Sequence, residues 1–204
     1  MISLPLVYTV LALITYTTSF WYLFIRLMSQ RSPNLLNYAL MVGLGLVLHG
    51  TVLYQDMMTP FGVNYDVFNL LSFTSGLMLA LSLILSLIRP ILPLNLIGTP
   101  VAVIGLILGY AFSQPNQVIE QHSLGLDLHI ILSLSAYAVL LMATIHSVLL
   151  WFQDRELKKK QKRRIWVNLL PPFHVMESVL FDLIITGFGL LTAALLFGFF
   201  TIDN

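Results

Sequence analysis

Histidine has the widest chemical range of any residue type in this sequence. Its imidazole can bind a metal ion, transfer a proton or donate a hydrogen bond near neutral pH. The chain has five histidines and no cysteine. Two of them, His49 and His129, lie near the ends of long apolar segments. An ionisable side chain in such a segment is costly, so each of the two requires a partner or a function.

If these segments are membrane-spanning helices, His49 and His129 lie at a similar depth in the outer leaflet. At 100° per residue, His129 shares a face with Ser133 and Tyr137, and this small, polar face is expected to point into a bundle. Gly45, one turn before His49, leaves room for a flat cofactor or another helix. Two facing imidazoles could be axial ligands of haem iron, bind another metal or pass a proton. Helix–helix hydrogen bonding is the structural alternative.

The remaining histidines give weaker signals. His146 follows His129 by roughly 25 Å along a helix, and we interpret it as an interfacial residue near the cytoplasmic face. His122 falls in an outer loop and is interpreted as solvated. His174 and Glu177 share one helix face, where an interfacial ion pair is favoured over a gate or a small metal site.

The composition is that of an integral membrane protein. Of 204 residues, 58% are hydrophobic and only 9% are charged, whereas soluble domains carry about 25% charged residues. A helix needs about 20 apolar residues to cross a bilayer. Lipid offers the backbone no hydrogen-bond partners, so a spanning segment must form its backbone hydrogen bonds within a helix. We therefore predict an all-α, polytopic transmembrane helix bundle. It forms a single domain, residues 1–204, with helices at about 4–28, 35–54, 67–88, 91–112, 127–152 and 177–200.

All ten Lys and Arg residues fall in connections on one side of the predicted bundle. Arg26 and Arg31 flank the first connection, Arg89 is in the third, and the other seven lie in the loop 153–170. Because short basic loops stay in the cytoplasm, the N-terminus is predicted to be outside. The positive charge follows from this topology and indicates no nucleic-acid partner.

The sequence lacks the motifs of common enzyme classes. It contains no Walker loop, no GxSxG, no HExxH and no dinucleotide-binding fingerprint. We therefore expect no turnover chemistry. Two non-enzymatic alternatives to a haem protein stay open, a transporter or accessory subunit for an ion or small metabolite, and a non-catalytic membrane scaffold. An inverted repeat with broken helices would favour transport, and we find neither in the sequence.

Several segments carry a family resemblance. They are residues 128–137, 152–161, 170–181 and 187–192, with 48–50 and 68–70 in the N-terminal half. In these segments the chain resembles the cytochrome c assembly superfamily of CcsA-, CcmC- and HemX-like proteins, and most of all the YpjD-type bacterial inner membrane proteins. The resemblance implies a haem-handling membrane protein with other cytochrome assembly or membrane proteins as partners. It also implies that His49 and His129 ligate haem iron, with Ser133 and Tyr137 lining the slot.

Two departures from the family pattern limit this expectation. Trp21, Trp151 and Trp166 are scattered, so they cannot form the tryptophan-rich outer loop of cytochrome c synthases and haem exporters. The resemblance therefore does not extend to synthase or export activity. Relatives of this branch usually continue for two more helices that hold another histidine. By that measure the chain looks C-terminally short, and it cannot supply a ligand from that region.

Overall fold

Six long helices make up most of the structure. The computed structural model describes residues 4–60, 62–114, 118–119, 124–158 and 170–202. The helices are α1 Leu4–Met28, α2 Leu35–Met57, α3 Val67–Ile88, α4 Asn95–Phe112, α5 Leu124–Leu157 and α6 Phe173–Ile202. In the described ranges all six are long and apolar enough to cross a membrane, when the short 3-10 turn Leu92–Leu94 is counted with α4. The predicted fold class, six spanning helices in an all-α protein, is confirmed.

Short polar side chains fix where two of these helices begin. The Asn34 side chain accepts a hydrogen bond from the backbone N–H of Asn37 at 3.1 Å, at the start of α2. The Asp66 carboxylate accepts one from the N–H of Phe68 at 2.9 Å, at the start of α3. Each cap satisfies a backbone donor that the first helical turn leaves unpaired. Local sequence therefore sets the start of both helices.

The buried apolar residues form two separate clusters. The first joins α1, α2, α3 and α4 and contains Tyr16 and Leu106. The second joins α3, the 3-10 turn, α5 and α6 and contains Met142 and Met176. Helix α5 packs mainly on α6 and also on α3. Because α3 contributes to both clusters, it connects the α1–α4 half of the protein to the α5–α6 hairpin.

Helices α3 and α4 approach each other closely because glycines face serines. Gly105 and Gly109 lie one turn apart on α4, opposite Ser75 and Ser72 of α3. A Cβ atom at Gly109 would lie 2.7 Å from the Cβ of Ser72, and one at Gly105 would lie 2.6 Å from the Cβ of Ser75. Small residues spaced by four allow this kind of backbone approach in membrane helices.

One end of the bundle carries a small antiparallel sheet that the sequence did not predict. Its strands are β1 Met58–Thr59, β2 Gly62–Asn64 and β3 Val118–Ile119, in that order across the sheet. The side-chain amide of Asn64 also donates to the carbonyl oxygen of Gln114 at 3.0 Å. We call this the sheet end. The loops that follow α2 and α4 are therefore joined to each other here.

The opposite end, which we call the basic end, holds Arg31, Arg89 and Arg155 in or beside its helix termini. Most of the residues in loop 153–170, five of its basic residues among them, lie outside the described ranges. At this end Asp182 of α6 contacts Arg89, with Nη2 and Oδ2 3.5 Å apart. The cytoplasmic location of this end stays a prediction.

Large apolar side chains cover the outward faces of the peripheral helices. Trp21 on α1 is 52% exposed, and Phe188 and Phe199 on α6 are 61% and 66% exposed. Water would disfavour such a surface, whereas lipid solvates it. The exposed apolar faces therefore agree with a multi-pass membrane protein.

Candidate functional site

His49 is buried where α1, α2 and α3 meet. Its Nδ1 lies 3.2 Å from the Tyr16 hydroxyl, and its Nε2 lies 2.9 Å from the Ser72 hydroxyl. The side chain is 1% exposed. On α3, a Cβ at Gly76 would come within 3.2 Å of the ring, so this glycine makes room for the imidazole. Both nitrogens have polar partners inside the protein, and metal binding at either would break a hydrogen bond.

His129 is held differently, at the contact between α5 and α6. Its Nδ1 lies 2.7 Å from the carbonyl oxygen of Ala194. Because a carbonyl oxygen only accepts, Nδ1 carries the proton and Nε2 carries the lone pair. Within the described ranges no protein group bonds to that Nε2. Metal-binding histidines commonly show this arrangement, in which the other ring nitrogen donates to a carbonyl group.

Gly198 allows this hydrogen bond to form. A Cβ at this position on α6 would lie 2.8 Å from Nδ1 and 2.9 Å from Cε1 of His129. The Nδ1–Cε1 edge of the ring therefore packs directly against the backbone of α6 at Gly198. Its Nε2 atom lies farther from α6. Any larger residue at Gly198 would push the imidazole away from the Ala194 carbonyl group.

The structure separates features that the sequence grouped into one slot. His49 bonds to groups on α1 and α3, whereas His129 bonds to α6. Tyr137, predicted to line the slot, is 55% exposed on α5, and its place in a haem site stays a prediction. Ser133 is half-buried on α5, one turn beyond His129. Haem ligation by either histidine stays a prediction.

A cavity does lie between the two helices that carry these histidines. It has a volume of about 370 Å³, is lined by α2, α3, α5 and the sheet end, and is partly open at the surface. Gly50 and Ile130 line it, and each directly follows one of the histidines in the chain. The imidazoles themselves are not among its lining residues. The walls of this cavity are almost entirely apolar, and a slot between the two imidazoles stays a prediction.

The cavity has one polar pair in its lining. The Tyr65 hydroxyl donates a hydrogen bond of 2.9 Å to Oδ1 of Asp127. Burial, together with the hydrogen bond and the negative charge of Asp127, raises the pKa of Tyr65 to about 12. Tyr65 therefore keeps its proton at physiological pH and remains the donor. The bond links the loop before α3 to the first turns of α5.

The remaining histidines take varied positions. His146 is only 2% exposed, so its assignment to the interface is wrong. Its Nδ1 donates to the carbonyl oxygen of Met142 at 3.1 Å, and its Nε2 has no partner in the described part of the chain. His174 and Glu177 are both exposed on α6. His122 lies outside the described residues.

Among the described residues, no three His, Asp or Glu side chains gather into a group that could hold a metal ion. The candidate site in this region is therefore a single imidazole, that of His129, with its orientation fixed by the partner helix.

The partners of both histidines were not predicted from the sequence. Tyr16 and Ser72 bind His49, and Ala194 binds His129. A sequence signal exists for one of them, because Ser72 belongs to a run of small polar residues along α3 that should face other helices. No sequence signal identifies a backbone acceptor such as the Ala194 carbonyl group.

Comparison with known proteins gives one match. A sequence profile of the family described as Cytochrome C assembly protein matches residues 4–202. No curated protein matches the chain, and no solved structure matches it. The match spans all six helices, including the contact between His129 and α6. The narrower YpjD-type assignment stays a prediction.

Proposed function

The chain belongs to the cytochrome c assembly family, and from this premise we propose that it binds haem through Nε2 of His129. The observation that supports the proposal is the 2.7 Å hydrogen bond between Nδ1 and the Ala194 carbonyl oxygen. This bond selects the tautomer whose Nε2 lone pair is available to iron. The family supports haem handling in general, and the hydrogen bond favours this residue in particular.

The residues around His129 suit an imidazole that would bind haem iron. Bound haem would supply an iron that accepts a nitrogen lone pair. The Ala194 carbonyl group would hold the ring orientation and raise the basicity of Nε2. Gly198 would keep the ring in contact with α6. We keep Ser133 as a neighbour of the site, one turn along α5, and we assign His49 a structural role because both its nitrogens are bonded.

Haem content tests this proposal directly. The protein is purified in detergent from haem-replete cells, and reduced-minus-oxidised Soret spectra are recorded with a pyridine haemochrome assay. We expect haem in the wild type and its loss in His129→Ala. The matched control is His174→Ala, which removes an exposed imidazole from α6 and should retain haem. Wild-type protein without haem, or equal haem in both variants, would contradict the proposal.

A milder variant tests whether the orientation of the His129 imidazole matters when the imidazole itself is kept. Gly198→Ala keeps the imidazole but places a Cβ against Nδ1 and Cε1. We expect haem affinity to fall about tenfold, as is typical when a supporting hydrogen bond is disturbed, together with a shifted Soret maximum. Gly189→Ala on the same helix, where an added Cβ meets nothing within 4 Å, should leave both unchanged.

We also propose that the protein lies in the bacterial inner membrane with its basic end in the cytoplasm. The position of Arg31, Arg89 and Arg155 at that end supports this orientation. The chain has no cysteine, so single-cysteine labelling has no background. In intact cells, a membrane-impermeant maleimide should label Ser113→Cys at the sheet end and spare Ser32→Cys at the basic end. The reverse labelling pattern would show that the protein has the opposite orientation in the membrane.

A further inference from the structure

A second cavity, at the basic end, has features that the haem proposal does not use. It has a volume of about 340 Å³ and lies between α3, α5 and α6. Its inner wall is apolar and includes Leu85, Val139 and Leu183. Ile84 and Ile88 also line it and are 52% and 73% exposed. The cavity therefore opens sideways, toward the surface where spanning helices meet lipid.

An ion pair lies in the lining of this cavity. Arg89 and Asp182 both line it, and their side chains are 47% and 59% exposed. Asp182 is roughly 13 Å along α6 from its first residue, within an apolar span. A carboxylate exposed at such a position is costly unless another charge compensates it. Arg89 supplies that charge, and the pair places a cation and an anion side by side in the lining of the cavity.

Both Arg89 and Asp182 have hydrogen-bonding positions that the pair itself does not use. Its separation of 3.5 Å exceeds the usual ~2.7–2.9 Å of a charge-assisted hydrogen bond. A guanidinium group has five N–H donors and a carboxylate has about four acceptor positions. A molecule that carries both an ammonium and a phosphate group could therefore bind to Asp182 and Arg89 together.

We propose that this cavity binds a phospholipid with a primary-amine headgroup, phosphatidylethanolamine. Its ammonium group donates hydrogen bonds to Asp182, its phosphate accepts them from Arg89, and part of one acyl chain fills the apolar cavity. Phosphatidylcholine has the same charges but no N–H donor, and the net negative charge of phosphatidylglycerol is repelled by Asp182. The charges and donors of the site therefore favour one headgroup. This inference does not depend on haem binding.

Native mass spectrometry of the purified full-length chain tests this selectivity. The protein is titrated with phosphatidylethanolamine, phosphatidylcholine and phosphatidylglycerol that carry identical acyl chains. We expect phosphatidylethanolamine to bind about tenfold more tightly than phosphatidylcholine, because hydrogen bonds to a charged group are strong. Asp182→Asn should reduce that ratio to near one. Arg89→Gln should weaken the binding of both lipids, since it removes the phosphate contact.

Two further variants test whether lipid binding is specific to this cavity. Asp154→Asn removes another ion pair at the same end, 2.6 Å from Lys158, and should leave the selectivity intact. Thr186→Trp adds bulk at an exposed lining position and should weaken the binding of every lipid. Equal binding of the two zwitterionic lipids by the wild type would overturn the proposal. So would a preference for phosphatidylglycerol, or an Asp154→Asn effect equal to that of Asp182→Asn.

Discussion

Replacement of Gly105 by leucine is expected to lower the free energy of unfolding by about 3 kcal/mol, the upper range for overpacking in a protein interior. Even a Cβ at this position would overlap the Ser75 side chain, 2.6 Å from its Cβ. Rotation of the Ser75 side chain can move its Oγ but not its Cβ, which is fixed to the backbone. Helices α3 and α4 must therefore separate, and the packing at Gly109, one turn away, is lost as well.

Thermal or SDS-induced unfolding in detergent measures this effect. Gly189→Leu is the matched control, because an added Cβ there meets nothing within 4 Å, and its stability should change by less than about 0.5 kcal/mol. Gly105→Ala should fall between the two. If Gly105→Leu proved as stable as Gly189→Leu, the close contact between α3 and α4 would be contradicted.

Replacement of His49 by alanine is expected to cost roughly 2–4 kcal/mol of stability while haem per folded molecule stays unchanged. The change opens a cavity at a fully buried position and leaves two hydroxyl groups, on Tyr16 and Ser72, without their partner. His129→Ala should show the opposite pattern, with haem lost and stability nearly retained, because His129 is only half-buried. These opposite results would show that the two histidines differ in role.

Unfolding curves and haem content, measured on the same preparations, distinguish the two roles. Among single partners, Tyr16→Phe removes only a hydroxyl group and leaves Nδ1 of His49 buried and unpaired, which should cost about 1–2 kcal/mol. Ser72→Ala, which removes the other hydroxyl partner, should cost a similar amount. Loss of haem from a stably folded His49→Ala protein would show instead that His49 is a ligand.

Hydropathy alone predicted the six helices because lipid restricts a spanning segment to one backbone conformation. The sequence could not reveal the sheet end, since strands of two or three residues such as Met58–Thr59 and Val118–Ile119 are too short to show a periodic pattern. It did contain the spacing of Gly105 and Gly109, a small-xxx-small signal for close helix packing.

The candidate site was only half predictable. Helical periodicity gives the face on which a side chain lies, but not which neighbouring helix that face contacts. His49 and His129 were therefore correctly placed inside long apolar helices, yet their partners on α1, α3 and α6 depend on helix arrangement. The exposure of Tyr137 could not be predicted for the same reason. In the described structure no helix lies beside that part of α5, so the side chain is exposed.

The division of the interior into two clusters affects how the stability effects of separate substitutions combine. Among the described helices, only α3 has buried residues in both clusters, and a substitution at Gly105 and one at His129 share no direct partner. Free-energy changes at sites without shared partners usually add within about 0.5 kcal/mol. Substitutions in the α5–α6 hairpin away from α3 should therefore change the total stability by amounts that add to those of substitutions in the four-helix half.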